Sequence, residues 1–174
     1  MDYFLLRQDV RYTNVPVLQK VMQTIDPWKL YDLRPEDIVK PLMFHVKANA
    51  ESIFSDYIEG PIPLISDALK RLVQAYMPEL PLKLTILTQI EQKIQKNYYI
   101  PFIERLIAVH PESEWNLDQS VLRKLVLQAD AIRGHKIFRI QESTTPLIIV
   151  RLDVAESILR RDYTGIALER VRVK

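Results

Sequence analysis

The sequence predicts an α+β fold in a single domain over residues 1–174: a mostly antiparallel sheet in the C-terminal half, a few packed helices, and a closing strand, strand, helix, strand unit. Three observations carry this prediction. His135-Lys-Ile-Phe-Arg-Ile140 and Pro146-Leu-Ile-Ile-Val-Arg-Leu152 are short runs rich in β-branched apolar residues. Asp153-Val-Ala-Glu156 opens a helix that Gly165 closes, before a last strand through Ile166 to Leu168 and Val171 to Val173. No flexible linker separates the proline-rich first third of the chain from the strand-rich second half.

The elements follow in order. Tyr3 to Leu6 is an apolar strand ending at Arg7-Gln-Asp9, and Val15 to Ile25 is expected as a short helix despite imperfect apolar spacing. Prolines 27, 35, 41, 61 and 63 make residues 26–63 irregular, except for a strand over Pro41 to Lys47 with Pro at its first position. Ser66 caps a helix over Asp67 to Tyr76, which places an acid in the first turn and apolar residues at 69, 72, 73, 76 and 77. Residues 82–96 fit both a strand and one face of a helix; the strand is preferred because a helix would waste Leu82 and Leu84. Asn97 to Ile103 with Leu106-Ile107 reads as a second strand, in which Pro101 implies an edge or a bulge. His110 to Trp115 is a loop, and Leu122 to Leu127 fits strand or helix. The closing helix, over 153–163, should pack through Val154, Ile158 and Leu159. Asp153 and Glu156 have the spacing of a capping box.

With 174 residues, 48% of them hydrophobic and 26% charged, the chain has the composition of an ordinary globular protein and needs no metal or disulfide to fold. Its 24 basic and 22 acidic side chains are interspersed and leave a net charge of +2. No basic stripe marks a nucleic-acid or anionic-membrane partner. The densest basic pairs, Lys70-Arg71 and Arg160-Arg161, are expected on solvated helix faces. Cysteine is absent, which removes disulfides, thiolate nucleophiles and zinc-thiolate sites and fits a reducing cytoplasm. The N-terminal apolar run is too short for a signal peptide, and no stretch approaches the ~20 apolar residues of a membrane span. A cytoplasmic protein is expected; a homo-oligomer is compatible with the sequence but not indicated by it.

Residue types that carry chemistry are present but scattered. His45, His110 and His135 lack the spacing of a helical metal pair, so each is expected to be structural and no metal or other cofactor is expected. No serine sits in a Gly-x-Ser-x-Gly elbow, and Ser66 is explained as a cap. The acid pairs Glu36-Asp37, Asp56 with Glu59, and Glu112 with Glu114 have residue types suited to acid/base work, yet all lie in loops or turns where solvated acids are the rule. No Walker loop, dinucleotide fingerprint or calcium loop occurs. Trp28 and Trp115 each stand beside acids near a loop. Core anchoring is the first expectation for both, and an interface hot spot the second.

The ordered pattern of Met1-Asp-Tyr-Phe-Leu-Leu, the Trp28 region, Gly60-Pro-Ile-Pro-Leu-Ile-Ser-Asp67 leading into Leu69 to Leu72, Tyr98-Tyr99, Lys136-Ile-Phe-Arg139, Leu147-Ile-Ile-Val150 and Asp153 to Gly165-Ile166 resembles immunity family eleven of bacterial polymorphic toxin systems. The resemblance spans essentially the whole chain. It implies a cytoplasmic immunity protein that binds a cognate toxin domain and neutralises it by occlusion or by locking it, with no catalytic residues of its own. The family lends no accepted binding motif, so contact residues are nominated from residue type and place: Trp28, Asp56, Glu59, Glu112, Glu114 and Trp115. The alternatives are a small cytoplasmic hydrolase using an acid pair with His45 or His110, or a general protein-interaction domain. A deep pocket gathering histidines and acids would favour the enzyme, and a broad acidic or aromatic surface without a pocket the binder.

Overall fold

The computed structural model describes residues 1–118 and 121–174, apart from the side chain of Tyr31. The fold is mixed α and β, built mostly of strands, with three α-helices among the described residues. Its first strands are β1 (Tyr3–Gln8), β2 (Val17–Leu18), β3 (Leu42–Lys47), β4 (Tyr57–Ile58), β5 (Leu64–Ser66), β6 (Leu82–Gln89) and β7 (Ile94–Pro101). There follow β8 (Arg105–Leu106), β9 (Glu114–Trp115), β10 (Leu122–Lys124), β11 (Val126–Leu127), β12 (Ile137–Ile140), β13 (Ile148–Arg151) and β14 (Ile166–Val173). The helices are α1 (Val21–Thr24), α2 (Asp67–Tyr76) and α3 (Leu152–Leu159).

The chain divides into two compact units, the first comprising Gln8–Phe102 with Tyr163–Ile166, the second Met1–Arg7, Ile103–Asp162 and Ala167–Lys174. Both are discontinuous in sequence. The units interleave rather than follow one another, which is why no linker separates them in the sequence.

The first unit holds a six-stranded sheet in the order β2, β3, β6, β7, β5, β4. Its centre is the β6–β7 hairpin, in antiparallel register from Leu82 opposite Pro101 to Gln89 opposite Ile94. Pro101 therefore ends an interior strand, and the expected edge or bulge is corrected: at the last position the missing N–H costs the ladder little. Residues 82–89 are strand, and the second strand begins at Ile94, earlier than the sequence indicates. β3 runs parallel to β6, from Leu42 opposite Thr85 to His45 opposite Thr88. Alternation sends Phe44, Val46, Leu87, Tyr98 and Ile100 to one face, where they pack with Leu18, Val21, Leu30, Ile38 and Leu64. The expected helix over 15–25 is instead β2 followed by the single-turn α1: Leu18 and Val21 are buried in this core and Ile25 packs partly buried against it.

On the opposite face lies α2. The Ser66 hydroxyl accepts from the Leu69 N–H at 3.1 Å, and Leu69, Leu72 and Val73 are buried. Each such side chain contributes ~1.5 to 3 kcal/mol of burial.

The second unit carries a sheet in the order β11, β14, β1, β13, β12, β8. Residues 105–110 bend so that β8 pairs with β12 while Val109 bridges to Leu127 of β11. The His110 N–H donates to the Val126 carbonyl at 2.8 Å and the Gln128 N–H to the Ala108 carbonyl at 2.9 Å. One segment thus ties together the two ends of the sheet, which curls round Tyr3, Leu5, Ala108, Leu127, Ile132, Phe138, Ile140 and Ile149 and leaves little bare edge. β9 and β10 form a separate two-stranded ribbon, so Glu114-Trp115 is strand and not loop.

Two details of the closing helix correct the sequence. Val154, Ala155 and Ile158 are buried, whereas Leu159 is 73% exposed, at the edge of a stripe centred on the i, i+4 pair 154 and 158. Nor is there a capping box: β13 runs directly into α3, and the N-cap is Arg151, which makes no side-chain cap bond. Instead the Asp153 carboxylate accepts from Arg151 Nε at 2.8 Å and from its Nη2 at 2.7 Å. That pair holds the Asp153 carboxyl below the usual range, and the charge also complements the helix N-terminus.

Candidate functional site

The nominated contact residues fall in both units, Trp28, Asp56 and Glu59 in the first and Glu112, Glu114 and Trp115 in the second. Trp28 is 66% exposed, which corrects its expected core role. Its backbone N–H donates to Asp26 Oδ1 at 2.9 Å, closing an Asx turn that puts the indole on the surface. Trp115 is half-buried in β9, opposite Leu122.

The four acids are engaged by the fold itself. Asp56 accepts the Ser66 hydroxyl and, at 2.7 Å, the Thr164 N–H, so one carboxylate ties the start of α2 to the turn before β14. Glu59 accepts from the Gln8 N–H at 3.0 Å while its own N–H donates to Gln8 Oε1 at 3.1 Å. Glu112 pairs with Lys174, and Glu114 with Lys124 at 2.8 Å. The Lys174 ammonium holds the Glu112 carboxyl below its ordinary range, with Arg172 and His110 acting in the same sense.

The histidines have separate local roles. His45 Nδ1 lies 3.2 Å from Thr88 Oγ1 on the neighbouring strand. His110 Nδ1 accepts from the Glu112 N–H at 3.2 Å, and His135 Nδ1 is 3.5 Å from Glu104. The Glu36 and Asp37 carboxylates face Arg34 at 3.8 and 3.4 Å. Among the described residues, no three His, Asp or Glu side chains gather to hold a metal ion, and no helix is long and apolar enough to cross a membrane.

Basic pairs on the helices are less free than a solvated face implies. Lys70 pairs with Asp67 at 2.7 Å and places its ammonium 4.0 Å from the centre of the Tyr99 ring; Arg71 reaches Asp67 at 2.9 Å. Just past the end of α3, Arg160 pairs with Glu156 at 3.2 Å and Arg161 donates to the Ser157 carbonyl at 2.7 Å.

One surface escapes the sequence reading. Met43, His45 and Lys47 alternate with the buried Phe44 and Val46, so they form an exposed row along β3. The signal was there in an apolar Met43 out of phase with Leu42, Phe44 and Val46. A single residue out of phase, however, does not identify a surface without its cross-strand neighbours.

Comparison with known proteins finds no family model that matches this chain and no curated protein that matches it.

Proposed function

We propose that this chain is an immunity protein, which acts in the cytoplasm by binding one cognate toxin domain and has no catalytic reaction or cofactor of its own. The observation that carries this reading is the ordered series of motifs from Met1-Asp-Tyr-Phe to Gly165-Ile166 that resembles immunity family eleven. We take the closing strand, strand, helix, strand series as the part of the fold that such proteins share. Two structural features agree with a binder. The acids that a hydrolase would recruit (Asp56, Glu59, Glu112 and Glu114) are spent on backbone amides, a hydroxyl or lysines. Large apolar side chains meanwhile stand on the surface, among them Trp28, the bulkiest.

Co-expression with the toxin domain encoded beside this chain tests the proposal. Cells should survive, and the two proteins should co-purify as a one-to-one complex. Death despite folded protein, or survival with no complex, would defeat it. Within such a complex, Trp28→Ala should weaken affinity by roughly thirtyfold, or ~2 kcal/mol, without moving the melting temperature.

A further inference from the structure

The helix-bearing face of the first unit's sheet is only half covered. α2 packs on β5 and β7, over the end of the sheet that carries Ile65 and Tyr99. The other half holds Met43, His45 and Lys47 on β3, Ile86 and Thr88 on β6, and Gln95 and Asn97 on β7; cross-strand register places them side by side. Val17, opposite Lys47 on β2, extends the row. Met43 is 58% and Val17 55% exposed.

Three properties of this half-face define an occupant. First, its centre is a parallel pair, β3 with β6. Parallel strands are characteristically covered on both faces, whereas antiparallel ones tolerate water on one side. Here one face of a parallel pair carries an exposed Met43 beside a half-buried Ile86. Second, the uncovered strip is three strands wide. Two spacings of about 4.8 Å span close to 10 Å, the diameter of one α-helix with its side chains. Third, its strand residues include His45 and Lys47 but, among those described, no acid. An apolar centre ringed by Thr88, Gln95, Asn97, His45 and Lys47 has the layout of a protein interface with a cationic end.

We infer that an amphipathic helix of the bound toxin domain docks beside α2 on this strip, its apolar face over Met43 and Ile86 and an acidic flank toward His45 and Lys47. A second copy of this chain would bring like charges together, which disfavours a symmetric dimer on the same face.

This inference rests on the immunity reading, and one experiment separates the two. The purified chain and four variants are titrated with the toxin domain encoded beside it, with melting temperatures recorded alongside. Met43→Asp and Val17→Asp alter exposed side chains and should leave melting unchanged while weakening binding about tenfold or more. Lys47→Glu should weaken binding and flatten its salt dependence, and Leu159→Asp, in the other unit, should change nothing. If the complex forms and tolerates both aspartates, the docking strip is wrong and the immunity reading stands. If the aspartates act but Lys47→Glu alters neither affinity nor salt dependence, the acidic helix is wrong. If wild-type protein forms no complex, or forms only a dimer with itself through β3, the strip proposal falls; absence of any complex takes the immunity reading with it.

Discussion

Gly165 shows how a single residue constrains the first unit. Its φ of +71° lies in the left-handed region, and a Cβ built there would stand 2.3 Å from Ser55 Oγ and 2.5 Å from Ser55 Cβ. Gly165→Ala should therefore cost about 2 to 4 kcal/mol, from the unfavourable φ together with overpacking, and lower the melting temperature by roughly 5 to 15 °C. Ser55→Gly in the same chain should recover part of that loss, and strictly additive costs in thermal melts would show the clash to be absent. Ser66 holds two bonds at once, to the Leu69 N–H and to Asp56. Ser66→Ala should cost about 1 to 2 kcal/mol in denaturant unfolding. Acid sensitivity follows from the same scale. Arg11 depresses Asp9, Lys70 depresses Asp67, and Arg151 depresses Asp153. For a carboxylate lowered on folding, stability is complete above the unfolded value of about 3.9 and is lost as pH falls through the lower folded values. Melting temperature should be insensitive to these groups near neutrality and should drop below about pH 4; removing the Arg151 charge should flatten part of that drop.

Elements were legible where local chemistry and burial agree. Ser66 with Asp67 marked the start of α2, and alternation of Phe44 and Val46 marked β3, because in both the buried residues carry the period of the element. The start of α3 was misread because an Asp-x-x-Glu spacing looks the same whether or not a loop residue precedes the helix. Here β13 supplies no such residue, and Arg151 claims Asp153. Leu159 was misplaced because an apolar residue at the edge of a helical stripe is indistinguishable, by periodicity, from one inside it. The structure separates the two by mutation: Ile158→Ala should cost ~2 to 5 kcal/mol in equilibrium unfolding, while Leu159→Ala should stay within ~0.5 kcal/mol. Equal effects would contradict the packing of α3. The proposed docking strip on β3, β6 and β7 was beyond reach for a different reason. It is assembled by the parallel register of Met43 with Ile86, and residues 43 apart in sequence carry no local mark of that pairing.

At the scale of the whole molecule, an interleaved chain explains both what the sequence conveyed and what it hid. Strands and helices could be counted, but a unit built from Met1–Arg7, Ile103–Asp162 and Ala167–Lys174 has no boundary signal, since its crossings fall inside β1 and β14, just after β7, and in the short turn between α3 and β14. The proposed function likewise rests on the molecule as a whole: scattered acids and histidines make contacts within the fold, and the proposal assigns exposed apolar side chains to a partner. Its central claim is neutralisation by occupancy. The direct test is to titrate the purified protein into an activity assay of the toxin domain that the proposed function requires to be encoded beside it. Activity should fall linearly to zero at one equivalent and return when the complex is dissociated; complete, irreversible inactivation by a small fraction of an equivalent would mean that the protein is an enzyme and that the account is wrong.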